Sequence, residues 1–472
     1  MSNSKFRLSM GLCLIVLFFL PSVFPVYAQE KNIQSDRSLL TRHLEEARSA
    51  DPGFLAARAA KDAADRALDG SRALLGPKVA LSVNITRTER TEEATNFLGQ
   101  RSEIDRRFES RLNQLQARQP IFRKRELVGI EQAESQAEAS RRSLASADQD
   151  LAMRLLLAWT DVLVARSNKI TFQGAAQAAQ ESFAETDRRY KAGDTTIQEV
   201  DRDRARLSQA QALIEDAIAQ EAIADQVLKT IAGPAATVPA FYSLLAFTPI
   251  RTPAYSRDEL LRTIETKNQD IAAARYQEYA ALLEREKARS DRYPTLDAIA
   301  SASQGRNDTL PTIKNEQRIG LQLSVPIYTH GAIRAAVDQA DANFRRAQAQ
   351  TQATINKINS DTLAAYGNLA VIQSRISATD QLYQATLLSL RAQQAGFRAG
   401  ISSRAEIAKT IAELFSVARQ RIGIRRDQIA AWAKVQAAIG GFDTELLESL
   451  HNILSRPISL GEELNGIRID RR

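Results

Sequence analysis

No proline interrupts the chain between Pro120 and Pro234, a stretch rich in Ala, Gln, Arg and Leu. Proline ends or kinks helices, so its absence over so long a mixed polar-apolar run predicts helices far longer than a globular domain uses. Taken as one helix from Ile121 to Tyr190, the run would reach roughly 100 Å at 1.5 Å per residue. Its far end is marked by Tyr190-Lys191-Ala192-Gly193-Asp194. A glycine there permits the left-handed stop that lets a chain reverse. A returning helix is expected from Thr195 to Ala232.

The same arrangement occurs twice. Val325-Pro326-Ile327-Tyr328 opens a second proline-free run that passes Phe397-Arg398-Ala399-Gly400-Ile401 and continues to Pro457. Pro120 pairs with Pro326, Gly193 with Gly400, and Ile231-Ala232-Gly233 with Ile439-Gly440-Gly441. Upstream, Phe54-Leu55-Ala56-Ala57-Arg58 matches Ile271-Ala272-Ala273-Ala274-Arg275. Such spacing is a duplication, and a duplication fixes the architecture. In each copy the short helix and the returning helix together come close to the length of the long one. Stacked end to end beside it, they would make a bar of paired helices. Asp51 is placed to cap the helix that starts at Pro52.

Before each long helix lies a hairpin. Val79, Leu81, Val83 and Ile85 alternate with polar residues, as do Ile319, Leu321, Leu323 and Val325. Strict alternation describes a strand with one apolar face, and about ten residues suffice to cross a bilayer when tilted. A charged loop is expected from Arg87 to about Arg107, followed by a weaker partner strand, Arg111 to Gln119. The second pair is completed by Leu296 to Ser301. Four strands cannot close on themselves, and lipid does not tolerate open edges. Strands that cross a membrane here must be pooled from several chains.

Length alone, 472 residues, suggests two to four globular domains. Aromatics are only 6%, which suits long helix-on-helix contact better than one thick core. Lys5 and Arg7 followed by the apolar run Leu8 to Leu20 and by Val26-Tyr27-Ala28 form a secretory signal, residues 1–28. The lone cysteine, Cys13, lies inside it with apolar residues continuing beyond, unlike a lipid-attachment cysteine. The formal charge is +7, and the leader supplies two of these charges, leaving +5 spread along the helices. No aromatic-and-basic cluster speaks for nucleic acid. His43, His330 and His451 are scattered, and no metal-ligand spacing, phosphate loop or nucleophile elbow is present. No metal, cofactor or catalytic residue is therefore expected.

In its order of elements the chain resembles the TolC-type outer membrane factors over about Asp51 to Gly441. The resemblance rests on the duplication, the Pro-Ile-Phe and Pro-Ile-Tyr lead into each long helix, and the Tyr-x-Ala-Gly and Phe-x-Ala-Gly turns. It implies a mainly α protein with a membrane β-barrel. Four strands per protomer would join a shared twelve-stranded barrel, continued by a trimeric α-helical tunnel. It also implies a Gram-negative outer membrane location with a long periplasmic extension. The homotrimer would pair with a periplasmic adaptor (membrane fusion) protein and an inner-membrane pump. Residues 29–233 and 263–441 would be the repeats, with the linker 234–262 and the tail 442–472 as a belt around the tunnel.

By the same resemblance, Glu199 and Glu406, six positions after each turn glycine, would line the closed aperture. Near the second turn the best-known drug-efflux members carry a second acid, an aromatic hydroxyl and an arginine; here stand Lys409, Phe397 and Ser402. Arg404 or Lys409 would have to substitute in any ionic latch. The turn residues Tyr190, Ala192, Gly193, Asp194, Ala399, Gly400 and Ile401 would dock the adaptor. Val79, Leu81, Val83, Ile85, Ile319, Leu321, Leu323 and Val325 would face outer membrane lipid. The function expected is a passive export conduit for type I secretion or small-molecule efflux. The alternative is a periplasmic coiled-coil adaptor or scaffold, also secreted, alanine-rich and helical.

Overall fold

A computed structural model describes residues 38–454, apart from 96–98, 100, 240, 241, 243, 245–249, 251–254, 308–311 and 443. The expected leader, Cys13, and the tail beyond Leu454 lie outside the described residues. The two longest helices, α3 (Lys124–Lys191) and α7 (Ala332–Arg398), run without a break for 68 and 67 residues. The shorter helices are α1 (Leu39–Ala50), α2 (Pro52–Ala73), α4 (Ile197–Ala232), α5 (Arg257–Lys267), α6 (Gln269–Ser290), α8 (Arg404–Ala438) and α9 (Thr444–Leu454). At the hairpin end α2, α3, α6 and α7 pack side by side; at the turn end the order is α4, α3, α8, α7. Two short helices thus succeed one another alongside each long one. α5 already begins at Arg257, inside the stretch assigned to the linker.

One residue makes the corner in each copy. Asp51 separates α1 from α2, and Asn268 separates α5 from α6, with nearly the same backbone angles. The Asp51 carboxylate accepts from Phe54 N–H at 2.8 Å and from Arg154 at 3.0 and 3.1 Å. The Arg154 guanidinium, on α3, holds that carboxyl below the usual carboxylate range. Asn268 caps α6 through Asp270 and Ile271 N–H, and its amide donates to the Ala438 carbonyl at 3.1 Å. Cap and tie are the same side chain, so the helix start and its position on the neighbour are set together.

The largest core lies midway along the bar. Leu151, Leu155, Leu156, Trp159 and Leu163 of α3 are fully buried there. They meet Leu40 and Leu44 of α1, Ile429 and Trp432 of α8, Leu447 and Leu450 of α9, and linker residues Ala236, Val238, Leu244 and Ile250. The described parts of the linker and of the tail, up to Leu454, therefore pack on the helices at one level.

Two histidines are buried in this core, His43 on α1 and His451 on α9. The His451 ring lies 5.9 Å from Trp159 and 6.1 Å from Tyr242. Burial pushes both imidazoles below the usual histidine range; His43 adds to the effect on His451, while Glu46 and Arg42 act on His43 in opposite senses. Such a group takes up its proton more readily unfolded than folded, so stability falls as pH drops below the ordinary value of 6.5. The thermal midpoint should accordingly be lower at pH 5.5 than at pH 7.5. Replacing His451 by Phe should flatten that dependence; an unchanged pH profile in the variant would assign it to other groups.

Candidate functional site

The four strands, β1 (Lys78–Thr95), β2 (Arg101–Phe122), β3 (Thr295–Asn307) and β4 (Thr312–Ser324), form one antiparallel sheet in sequence order. Its register places Val79, Ala117, Ala300 and Ile319 in one row, and Leu81, Leu115, Ala302 and Gln317 in the next. Val83 and Ile85 continue the same face on β1, and Leu321 and Leu323 on β4. The opposite face carries Ser82, Gln114, Ser303 and Glu316 in a row, then Asn84, Leu112, Gly305 and Lys314. The apolar side chains are mostly more than half exposed in the protomer, Ile319 at 92%. The sheet thus has an apolar face and a polar face, and among the described residues nothing covers the apolar one.

Three expectations need correction here. Arg87 to Arg107 is no loop: β1 and β2 pair without a break from Lys78–Arg118 to Thr95–Arg101. In water both faces of a strand accept charge, so the apolar alternation stops while the strand continues. Val325 lies just past the end of β4 rather than within it. The two lead-ins also differ. Pro120 and Phe122 belong to β2 at a register shift, whereas Pro326 to Tyr328 lie outside any strand.

Sequence reasoning missed the joint between sheet and helices. Asp297 of β3 is almost fully buried, and Arg123, at the start of α3, grips both its oxygens at 2.9 and 2.8 Å. Arg118 of β2 approaches at 3.3 Å and also donates to Gln322 of β4 at 3.1 Å. One carboxylate therefore ties β2, β3 and α3 together, with geometry that a planar guanidinium makes specific. An acid in an otherwise apolar-alternating strand, Leu296-Asp297-Ala298, was the available signal.

At the far end both turns are complete Schellman motifs. Gly193 and Gly400 have φ of +83° and +77°. Asp194 N–H bonds to Arg189 O at 2.9 Å and Ile401 N–H to Gly396 O at 2.8 Å. Tyr190, Ala192, Ala399 and Ile401 are exposed there, Ile401 at 84%. Glu199 and Glu406 are exposed as well, on the first turns of α4 and α8, as is Lys409 on the second turn of α8, and Phe397 is half-buried. Glu406 has a local role that sequence reasoning overlooked. With Ser403 it forms a capping box, at 2.9 and 3.3 Å, and hydrogen bonding from Ser403 N–H holds its carboxyl below the usual range. Glu199 instead accepts from Thr195 Oγ1. The pattern Ser-x-x-Glu was visible.

A polar bridge behind each turn also escaped notice. Asp203 of α4 is buried and accepts from Thr186 Oγ1 of α3 at 2.7 Å and from Ser182 at 3.1 Å. At the matching places of the second copy, Thr410 donates to Gln393 at 2.8 Å. Each bridge holds a returning helix to its long partner close to the tip.

Residues 43–234 and 260–441, one span for each repeat, match the family described as outer membrane efflux protein. The chain belongs to that family. TolC of Vibrio cholerae is 24% identical over 410 residues, covering 84% of this chain and 89% of that one. The alkaline protease secretion protein AprF of Pseudomonas aeruginosa is 24% identical over 404 residues, covering 84% and 83%. Among solved structures, the Campylobacter jejuni CmeC outer membrane channel matches at a TM-score of 0.72 with 16% identity, covering 90% and 91%. Vibrio cholerae VceC matches at 0.70 with 18% identity, covering 86% and 97%. The family places the chain in the outer membrane as an efflux and secretion channel, and the alternative of a periplasmic adaptor falls away.

Leu81→Arg should reduce the yield of folded, membrane-inserted protein in a gel-shift assay, because a cation on a barrel's lipid face costs roughly 2–4 kcal/mol. Ser82→Arg, on the polar face, should insert normally. Equal losses would show the register to be shifted by one. Gln322 is unsuited as a control, since it already accepts from Arg118.

Proposed function

We propose that three copies of the chain form one conduit, working with a periplasmic adaptor and an inner-membrane pump in type I protein secretion or small-molecule efflux. The observation that carries this reading is the open sheet. β1 and β4 are both unpaired edges of a sheet whose apolar face is bare. Joining β4 of one copy to β1 of the next removes the edges of the four-stranded part, and three copies give twelve strands. The helices support the same closure. Ile218, Ile223 and Val227 on α4, and Val371 and Leu388 on α7, are exposed apolar residues on the two flanking helices of the protomer.

The turns are the end furthest from the sheet and the part repeated in both copies, which suits them to meet the adaptor. Gly193→Val or Gly400→Val would place a β-branched residue at positive φ. Export should fail while trimer and insertion survive; normal export would move the contact elsewhere along the helices.

Three copies would bring Glu199 and Glu406 together as six carboxylates around the aperture. Such a ring favours cations. Glutamine at both positions should weaken cation selectivity in planar-bilayer recordings. It also separates charge from capping, because glutamine can still reach back to the Ser403 N–H. Lys409→Ala should act in the opposite direction. Unchanged selectivity in both, in channels that conduct, would place these residues outside the lumen. Cargo is decided by deleting the gene and comparing secreted proteins with drug sensitivity.

A further inference from the structure

The outward face of the sheet is not apolar to its end. Arg111 of β2 and Arg306 of β3 stand directly opposite one another on that face, one pair short of the last β2–β3 partners, Ser110 and Asn307. Both arginines are exposed, and among the described residues no hydrogen bond or ion pair holds either of them. The acid next along the same face of β2, Glu109, is the register partner of Arg87. Like charges directly opposite on antiparallel strands, with Cβ atoms about 4.5–5.5 Å apart, repel. An anion between them removes the repulsion, and two guanidinium forks suit the oxygens of a phosphate.

The surroundings narrow the choice of anion. Directly below the arginines, Asn113 faces Gln304, adding two amides. To one side rises a ridge on β1: Val79, Leu81, Val83 and Ile85. To the other, β4 carries Ile313, then Asn315 and Gln317, then a ridge of Ile319, Leu321 and Leu323. Between the ridges Ala302, Ala300 and Ala298 make a trough of small side chains along β3 that leads away from the arginines toward the helical end, bordered on β2 by Leu115, Ala117 and Gln119. A charged notch at the top of an apolar trough fits an amphipathic molecule, and the hairpin tips point away from the helices. The notch therefore belongs to the outer leaflet.

We propose that Arg111 and Arg306, assisted by Asn113 and Gln304, bind a phosphate group of an anionic glycolipid of the outer leaflet, with its acyl chains lying in the alanine trough. The site rests on the outer membrane location and lies wholly within one protomer, so a trimer carries three. The occupant is a lipid rather than free phosphate because trough and notch are continuous.

The test uses the purified trimer in phosphatidylcholine nanodiscs, titrated with diphosphoryl lipid A, with its dephosphorylated form, and with inorganic phosphate. Wild type should prefer the diphosphoryl form by about tenfold or more, the scale of a charge-assisted contact. Arg111→Gln with Arg306→Gln should erase that preference, while Lys314→Gln on the polar face should keep it. If the glutamine pair hinders folding, Arg111→Lys with Arg306→Lys keeps the charge without the forks, and a reduced but measurable preference is expected. An undiminished preference in either double variant overturns the proposal, as does an equal loss in Lys314→Gln. Displacement of the lipid by inorganic phosphate at similar concentration would overturn it in favour of a free-anion site. Failure of the protein to fractionate with the outer membrane would instead strike the functional reading beneath it.

Discussion

A strand edge left unpaired in hydrocarbon strands a row of N–H and C=O groups, each costing several kilocalories per mole. That rule governs this chain from the sheet outward. One protomer offers four strands and two free edges, so its membrane part is complete only in company. Helices that leave a closed ring must themselves stand in a ring. This accounts for a protomer whose long helices lie side by side in one layer, with apolar residues such as Ile223 and Val371 left bare on its flanks. It also accounts for the carboxylate of Asp297 at the joint, where a misdirected helix would open the wall.

Much of this was legible in the sequence because it rests on local rules. Absence of proline marks α3 and α7, glycine marks the two turns, and alternation marks the membrane-level parts of β1 and β4. Duplication then converts weak local signals into an architecture, since each feature must serve twice. The comparison of Asp51 with Asn268 shows how little the rule depends on identity: both side chains accept from backbone N–H groups at a helix start.

What was not legible depends on distant contacts or on solvent. The charged halves of β1 and β2 carry no apolar alternation, so they read as a loop. The core around Trp159 gathers α1, the linker and α9 from opposite ends of the sequence. The bridges behind the turns changed chemistry between copies, from Asp203 with Thr186 to Thr410 with Gln393, which conceals their equivalence. Glu406, a lumen charge by resemblance, is a helix cap in the structure, a role that shows only once Ser403 N–H is seen to donate to its carboxylate.

The unequal strands give the external mouth an uneven outline. Beyond Ser110 and Asn307, β1 and β2 continue alone through nine further pairs, roughly 30 Å at the usual strand rise. Three copies would raise three such ribbons above the last β3–β4 pair, Arg306 and Ile313, like merlons on a parapet. A two-stranded ribbon standing in water invites strand addition along its edges, and here those edges carry Arg87, Glu89, Arg107 and Glu109, with Arg107 paired to Glu89. The charges that hid these strands from a reading by hydropathy are what keep them separate at the cell surface.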